Sequence, residues 1–220
     1  MKKNTFVFIL MFLVLSSVSV FAAGNTWNDS FNKSKKILER MVYSDQRITF
    51  YCGCPYDPRK NVQSCPDYAP VNGGKRSTRI EWEHIVPAAH FGQSFREWRE
   101  GDPGCVDNRG RHFKGRNCAS KISIPYRYME SDMYNLVPAV GEVNGLRSNY
   151  RFGMVSGPGS INVCGMKIDV DARTVEPPEH LRGFIARTFD ILPALKDGDS
   201  RIVAQHHTTA RDGSCFIEEL

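Results

Sequence analysis

The amino-acid sequence predicts a single α+β domain that is stapled by disulfide bonds. Its 220 residues are 41% hydrophobic and 24% charged, a globular composition that leaves room for a sizeable core and excludes a disordered chain, a collagen and a coiled coil. Both helical and strand patterns occur along the chain. Seven cysteines provide for cross-links. No repeat, low-complexity segment or shift of composition marks a second domain.

Residues 1–22 are interpreted as a signal peptide. Two lysines precede an unbroken apolar run over residues 6–15, and small residues around Ala22 provide a cleavage site. The run is shorter than the ~20 residues that a membrane-spanning helix needs, which favours cleavage over the alternative of a single-pass anchor. We therefore expect a mature domain over residues 23–220, without a membrane anchor, that is periplasmic or secreted.

The cysteines all lie in this predicted mature domain, and an exported protein meets an oxidising compartment. They stand at positions 52, 54, 65, 105, 118, 164 and 215. We expect three disulfide bonds and one cysteine left over, with a connectivity that the sequence leaves open. The alternative is a zinc site at Cys52 and Cys54 with His84 and His90, although Cys-x-Cys is tighter than the spacing of about two to four residues that is usual for structural zinc.

The first half of the mature chain begins with an amphipathic pattern over residues 30–42, which predicts a helix capped by polar side chains before it. Residues 47–52 are β-branched and aromatic and predict a strand. Residues 53–75 are rich in Pro, Gly, Asn and Asp and predict a long loop that Cys65 tethers.

Alternation and β-forming residues predict a second strand over residues 77–86, ended by a proline. A helix is expected over 88–100, followed by a loop. Residues 126–135 are compatible with a helix up to Pro138, which could also open the next helix. The last predicted helix covers residues 179–192, between prolines.

The second strand carries the first candidate chemical group. Glu81 and Glu83 share one face of a strand and His84 faces away, because side chains alternate. Charges among so many apolar neighbours need a partner, and a metal ion is a suitable one. A bend or bulge after Glu83 would let Glu83 and His84 serve one site. The alternative is an ordinary strand with two exposed glutamates and a satisfied histidine.

Asn135 belongs to the second candidate group, in the segment 129–149. A carboxamide oxygen suits a hard cation, and Mg²⁺ is usually held by few protein oxygens and several waters. The alternative role for Asn135 is to shape the turn before Pro138.

Together, residues 79–88 and 129–149 resemble the bacterial endonuclease I family of exported, non-specific nucleases, whose active site is a ββα-metal (His-Me) finger. The similarity extends to Tyr51-Cys52-Gly53-Cys54 and to residues 175–187, and it covers roughly residues 27–192. The tail over 193–220 is polar and lacks the aromatic-rich helical ending of the family. The resemblance implies a ββα-metal core within the α+β domain.

The resemblance also implies the role of each site residue. His84 would be the general base, Glu83 and Asn135 would bind one Mg²⁺, and Mn²⁺ or Ca²⁺ could occupy the same position. Arg116, within Gly115-Arg116-Asn117-Cys118, would grip the phosphate. Glu81 would support the metal site by orienting a bound water, or would pair with an arginine. Water would attack in line and leave a 5′ phosphate and a 3′ hydroxyl.

A basic segment over residues 96–127 follows the proposed active-site strand. The whole chain has a net charge of +5, or +3 without the two lysines of the signal peptide, so the global charge indicates little. The segment alone has a net charge of +4 from Arg96, Arg99, Arg109, Arg111, Lys114, Arg116, Lys121 and Arg127 against four acidic residues. These side chains are predicted to bind phosphates without reading bases, and Arg109 and Arg111 rival Arg116. The alternative is a solvated charged loop.

The predicted function is therefore a Mg²⁺-dependent endonuclease, a monomer that acts on DNA, with RNA as a second candidate substrate and without sequence specificity. The competing hypothesis is a secreted, non-catalytic module that binds zinc through its cysteines and polyanions through its basic loop. A catalytically inactive relative is a third hypothesis, against which the presence of Glu83, His84 and Asn135 argues.

Overall fold

The structure, a computed structural model, describes residues 25–192. Its α-helices in chain order are α1 (Phe31–Ile37), α2 (Ala88–Gly92), α3 (Arg96–Arg99), α4 (Arg116–Ile122), α5 (Ile124–Glu130), α6 (Gly141–Arg147) and α7 (Glu179–Ile191). Its strands are β1 (Ile80–His84), β2 (Leu136–Val140), β3 (Arg151–Phe152), β4 (Ile161–Val163), β5 (Met166–Asp169) and β6 (Thr174–Glu176). A π-helix, Leu38–Val42, continues α1, and a 3₁₀ turn, Met133–Asn135, precedes β2. Over this range no helix is both long and apolar enough to cross a membrane.

An antiparallel hairpin and the helix that follows it lie at the centre of the domain. β1 pairs with β2 so that Glu83 is opposite Val137 and His84 is opposite Leu136. α6 begins at Gly141, directly after β2, and packs against both strands. This β-β-α unit confirms the predicted α+β class with a ββα core.

A second sheet covers one side of this unit. Its four strands run in the order β3-β6-β5-β4, in which only β3 and β6 are parallel. Val137 of β2 and Val143 of α6 share one buried core with Met166 and Ile168 of β5. Burial of these apolar side chains is the main force that holds the hairpin against the sheet.

A second core lies under the helices between β1 and β2. It contains Phe91 of α2, Phe95 just before α3, and Tyr126 of α5. The rings of Phe95 and Tyr126 are 5.4 Å apart in an edge-to-face arrangement. Val86, just beyond β1, and Leu192, just beyond α7, belong to the same core. The hairpin is therefore held between two apolar clusters, which fixes the position of its side chains.

Three disulfide bonds join six of the cysteines, as predicted. They link Cys52 to Cys164, Cys54 to Cys65, and Cys105 to Cys118. Because Cys52 and Cys54 are both oxidised, they have no thiolates for zinc, and the zinc alternative built on them is wrong. The seventh cysteine, Cys215, lies outside the described residues, as do the predicted signal peptide and the polar tail.

Some predicted elements differ from the structure. Residues 47–52 form no strand, because the chain makes a tight turn here next to two disulfides. The Thr49 N–H donates to the Cys54 carbonyl at 2.8 Å, and the Gly53 N–H donates to the Thr49 carbonyl at 2.9 Å. The helix expected over 88–100 is two short helices, α2 and α3. These local propensities were overridden by cross-links and packing.

The segment around Pro138 also differs from the prediction. Pro138 neither ends a helix nor opens one, since it lies inside β2 opposite Trp82. Proline is tolerated at this position because β2 is an edge of a two-stranded ribbon. The carbonyl of Pro138 accepts a hydrogen bond from the Phe50 backbone at 2.7 Å, so the outer side of β2 is partly covered.

Candidate active site

β1 ends at a pocket of about 490 Å³ that contains most of the predicted chemistry. Its lining includes Glu83 and His84 of β1, Asn144 and Arg147 of α6, Arg116 of α4, and Trp82. Glu83 and His84 are only 4% and 6% exposed, so they are held inside the domain rather than on a surface strand. The structure thus brings together Glu83, His84 and Arg116, as predicted.

The imidazole of His84 is held in one orientation. Its Nε2 lies 2.9 Å from the backbone carbonyl of Glu130. A carbonyl only accepts, so Nε2 carries the proton and Nδ1 keeps its lone pair. Within residues 25–192, no group donates a hydrogen bond to Nδ1. The ring of Phe31 packs against the imidazole at 5.1 Å and limits its rotation.

Burial is the main cause that lowers the pKa of His84 to about 3, with a further lowering from the positive charge of Arg116. The hydrogen bond to Glu130 acts in the opposite direction. The imidazole is therefore neutral at neutral pH, which is the form that can accept a proton.

The carboxylate of Glu83 has two partners from distant parts of the chain. Its Oε1 accepts from the Tyr51 hydroxyl at 3.2 Å and lies 3.1 Å from a terminal nitrogen of Arg147. Burial raises the pKa of Glu83 to about 7, although the charge of Arg147 lowers it. A carboxylate in this state gains from a further positive charge in the pocket.

Arg147 holds the end of β1 in place. It is 1% exposed and donates to the carbonyls of His84 at 3.0 Å and Ile85 at 2.5 Å. Its guanidinium also lies 4.5 Å from the ring of Phe152. Sequence reasoning gave Arg147 no role, because a single arginine at the end of a helical segment usually faces solvent.

The predicted bend lies one residue later than expected. The pairing of β1 with β2 is uninterrupted through Glu83 and His84, so there is no bulge between them. The chain bends at Ile85 and Val86 instead. The side chains of Glu83 and His84 still line the same pocket, together with Asn144 and Arg147 of α6.

Asn135, the second predicted metal ligand, does not line this pocket. Its side chain is fully buried, with Oδ1 accepting from the Val86 backbone N–H at 2.7 Å and Nδ2 donating to the Val86 carbonyl at 3.0 Å. Both polar ends of the amide are thus used to hold the bend after β1. The turn-shaping alternative describes Asn135 better.

A different asparagine occupies the pocket. Asn144, in the second turn of α6, lines it beside Glu83 and His84 and donates from Nδ2 to Glu81 Oε2 at 2.9 Å. In the described part of the chain, no donor bonds its Oδ1. Sequence reasoning missed Asn144, although it lies in the same segment, 129–149. The signal that could have found it is its place on the helix that directly follows the second strand.

Glu81 is the predicted supporting residue, and the structure places it next to Asn144. Its carboxylate also pairs with Arg76, with Nε–Oε1 and terminal nitrogen–Oε2 distances of 2.8 and 2.6 Å. Glu81 thus pairs with an arginine, which is one of the two predicted roles, and it also bonds Asn144, a residue of the pocket.

Arg116 stands at the rim of the pocket, at the start of α4. Its Nε donates to Glu130 Oε1 at 2.6 Å, and Ser120 donates to the other oxygen of the same carboxylate at 2.9 Å. This ion pair uses one edge of the guanidinium and leaves the terminal nitrogens for a ligand in the pocket. Arg116 lies over the ring of Phe31, at 5.4 Å, so His84 and Arg116 share an aromatic neighbour.

The other basic side chains of the segment 96–127 do not line the pocket, although all of them are within residues 25–192. Most of these side chains already pair with acids or carbonyls: Arg96 with Asp102, Arg99 with the Gln93 carbonyl, Arg111 with Asp107, Lys121 with the Gly104 carbonyl, and Arg127 with Asp29. Arg109 and Lys114 are exposed. Arg116 is therefore the arginine placed to reach a ligand beside His84.

The ββα-metal class has a β-hairpin followed by a helix. This chain has both, with a pocket lined by a carboxylate, an imidazole and a carboxamide. The chain belongs to the Endonuclease I family, whose model matches residues 16–192. This confirms the family that the sequence motifs indicated.

Curated relatives agree with this assignment. The chain is 41% identical over 167 residues to an extracellular deoxyribonuclease of Aeromonas hydrophila, a match that covers 73% of this chain and 66% of the relative. It is 40% identical over 167 residues to a periplasmic deoxyribonuclease of the same species, covering 73% of this chain and 64% of the relative. It is 37% identical over 161 residues to Endonuclease-1 of Buchnera aphidicola subsp. Acyrthosiphon pisum (strain APS), covering 70% and 58%. The matches span less than two thirds of the length of these relatives.

Proposed function

We propose that this protein is an exported endonuclease that hydrolyses phosphodiester bonds of DNA without sequence specificity. The family, the relatives named as extracellular and periplasmic deoxyribonucleases, and the chemistry of the pocket support this proposal. A periplasmic or secreted location agrees with three disulfide bonds, which persist in oxidising compartments. The protein is proposed to act as a monomer, and its mass in solution by light scattering tests this.

The residues of the pocket fit a single divalent cation of the Mg²⁺ type. Glu83 offers a carboxylate and Asn144 a carboxamide oxygen, both hard donors, and a wet site with few protein ligands is usual for Mg²⁺. The described residues hold no cluster of three or more His, Cys, Asp or Glu suited to a metal. Mn²⁺ or Ca²⁺ would fit the same donors. When bound, the cation would stabilise negative charge on the phosphate and on the departing 3′ oxygen.

His84 is proposed as the general base. Nδ1 accepts a proton from a water molecule as the water oxygen attacks phosphorus. The bond from phosphorus to the 3′ oxygen breaks, and the departing 3′ oxygen takes a proton from a second solvent water. The products are a 5′ phosphate and a 3′ hydroxyl. The Glu130 carbonyl keeps the proton on Nε2 and so keeps Nδ1 as the acceptor.

Arg116 is proposed to bind the scissile phosphate. The Glu130 carboxylate holds Nε, so the guanidinium is oriented before the substrate arrives. A planar fork matches two phosphate oxygens, which a lysine at this position could not reproduce. The exposed residues of the basic segment are proposed to attract and hold nucleic acid at some distance from the reacting bond.

The observation that carries the proposal is the fixed tautomer of His84 beside Glu83, Asn144 and Arg116 in one pocket. The test is cleavage of supercoiled plasmid by the oxidised protein, followed on gels with Mg²⁺, Mn²⁺ or Ca²⁺ and with EDTA. Nicking followed by degradation, abolished by EDTA, is the expected result.

A parallel reaction with single-stranded RNA decides whether RNA is also a substrate. If the protein binds DNA and RNA but shows no EDTA-sensitive cleavage of either, the proposal is contradicted. That result would favour the competing hypothesis of a non-catalytic module that binds polyanions.

A further inference from the structure

We propose that Arg76 is a positioning residue that sets the metal affinity of the pocket by orienting Asn144 through Glu81. This inference rests on the proposed function, because it concerns the site at which Glu83 and Asn144 would hold a cation. Arg76 lies outside the pocket, at the end of the long loop before β1. Neither the family match nor the sequence motifs gave it a role.

The contacts form a chain of three side chains. Arg76 meets Glu81 through two parallel hydrogen bonds of 2.8 and 2.6 Å, a geometry that fixes the plane of the carboxylate. Glu81 Oε2 then accepts from Asn144 Nδ2 at 2.9 Å. An amide whose nitrogen is held in this way cannot turn over, so its oxygen stays on the side away from Glu81. Without this bond, the nitrogen and oxygen of Asn144 could exchange places, and a donor would face the cation.

Two glycines give the Arg76–Glu81 pair its place against α6. A Cβ at Gly145 would lie 2.5 Å from a terminal nitrogen of Arg76, and a Cβ at Gly141 would lie 2.9 Å from Glu81 Oε1. The two positions are one helical turn apart and on the same face. Glycine weakens a helix relative to alanine, so its presence at both positions agrees with a requirement for space rather than for helix stability.

The loop that carries Arg76 is itself anchored on α6. The carboxylate of Glu142 accepts hydrogen bonds from the Tyr68 hydroxyl and from the backbones of Val71, Asn72 and Gly73, at 2.6–3.1 Å. The Arg76 carbonyl accepts from the Glu142 backbone at 3.0 Å. The same helix therefore holds both the backbone of Arg76 and the amide that Arg76 orients.

A purely structural role is the competing explanation, and exposure distinguishes the two. The side chains of Arg76 and Glu81 are 55% and 37% exposed. Exposed ion pairs contribute little to the stability of a fold. Removal of Arg76 should therefore leave the folded protein intact while it frees the Asn144 amide.

The test compares Arg76→Met with Arg79→Met. Arg79 is an exposed neighbour whose side chain bonds only the Arg59 carbonyl among the residues described, and it serves as the matched control. Mn²⁺ binding is measured by electron paramagnetic resonance, and plasmid cleavage is measured over a range of Mn²⁺ concentrations. We expect Arg76→Met to weaken Mn²⁺ binding by about 10-fold or more. Its cleavage rate should recover at high Mn²⁺, with an unchanged KM for DNA.

Two further variants refine the test. Arg76→Lys keeps the charge but loses the fork, so it should weaken Mn²⁺ binding as well. Gly145→Ala should displace the Arg76 guanidinium and act in the same direction. The two Arg76 variants should keep the melting temperature of the wild type in the absence of metal.

The inference is overturned if Arg76→Met binds Mn²⁺ as tightly as Arg79→Met, or if its only defect is a higher KM for DNA, since Arg76 would then contact the substrate directly. It is also overturned if Arg76→Met lowers the melting temperature and Gly145→Ala binds Mn²⁺ normally. A wild-type protein that neither binds Mn²⁺ nor cleaves plasmid would instead reject the proposed function itself.

Discussion

The β-β-α centre and the basic segment over residues 96–127 both carry charged side chains, but they hold them in different ways. At the centre, Glu83, His84 and Arg147 are buried, and each bonds a group from a distant part of the chain. In the basic segment, side chains such as Arg111 are exposed and bond acids a few residues away. Bond making and breaking needs fixed geometry, whereas attraction of a polyanion needs only charge. Substitutions in the two regions should therefore have different kinds of effect.

The largest expected difference concerns the disulfide bonds. Cys52–Cys164 ties the turn beside β2 to the second sheet across 112 residues, whereas Cys105–Cys118 closes 13 residues of the basic segment. Replacing both cysteines of the first pair by serine should cost about 4.7 kcal/mol of unfolding free energy, and about 3 kcal/mol for the second, on loop-entropy grounds. Urea denaturation of the two double variants checks this. A larger loss for Cys105 and Cys118 would show that the basic segment, not the centre, governs stability.

Arg147→Met should be nearly as costly. It leaves the Glu83 carboxylate without its buried counter-charge and two carbonyls without a donor, which should cost about 3–5 kcal/mol in urea denaturation. Arg173 is the matched control because it also lies over a ring, that of Tyr150 at 4.9 Å, but at the surface. Arg173→Met should change the free energy of unfolding by less than about 1 kcal/mol. Equal effects of the two substitutions would contradict the importance of the buried charge.

Asn135→Ala and Asn144→Ala should separate stability from metal binding. The first leaves the buried N–H and C=O of Val86 unpaired, at about 1–3 kcal/mol each, and should lower stability while Mn²⁺ binding persists. The second should leave the urea midpoint unchanged and abolish Mn²⁺ binding at micromolar protein. Calorimetric titration with Mn²⁺ provides the measurement. Loss of Mn²⁺ binding in Asn135→Ala with intact stability would restore the role that the sequence predicted for Asn135.

The smallest expected effect belongs to the basic segment. Arg109→Met should reduce the slope of log affinity for DNA against log salt by about 0.9, as expected for one lost phosphate contact. Its kcat should not change, because Arg109 is exposed and away from the pocket. Lys36→Met, on an exposed position of α1, is the control for loss of charge alone. An identical salt slope in both variants would favour a merely solvated loop.

The sequence predicted the family, β1 and the helix over 179–192 because their patterns are long or specific. It did not predict β2, because a proline usually argues against a strand. Pro138 is tolerated in β2 because this strand lies at an edge, and only the pairing with β1 reveals that position. Residues 47–52 have strand propensity, but disulfides at Cys52 and Cys54 hold them in a turn. Cross-links between distant residues leave no signal in a local pattern.

The same limit explains why the sequence pointed to Asn135 rather than to Asn144. Asn135 and Asn144 offer the same chemistry, and only the path of the chain through β2 into α6 decides which of them faces the pocket. The roles of Tyr51 and Arg147 toward Glu83 depend on contacts between residues that are 32 and 64 positions apart, and local residue patterns do not encode such contacts. By contrast, the adjacent pair Glu83-His84 could be identified, because an acid beside a histidine in an apolar strand is unusual by itself.

The most direct test of the proposed centre is the rate of plasmid cleavage by His84→Ala at saturating DNA and Mg²⁺. Loss of the general base should reduce kcat by about 10²–10⁴, with the urea midpoint of the wild type, while Arg109→Met keeps the full kcat. A His84→Ala protein that cleaves plasmid at the wild-type rate would contradict the account.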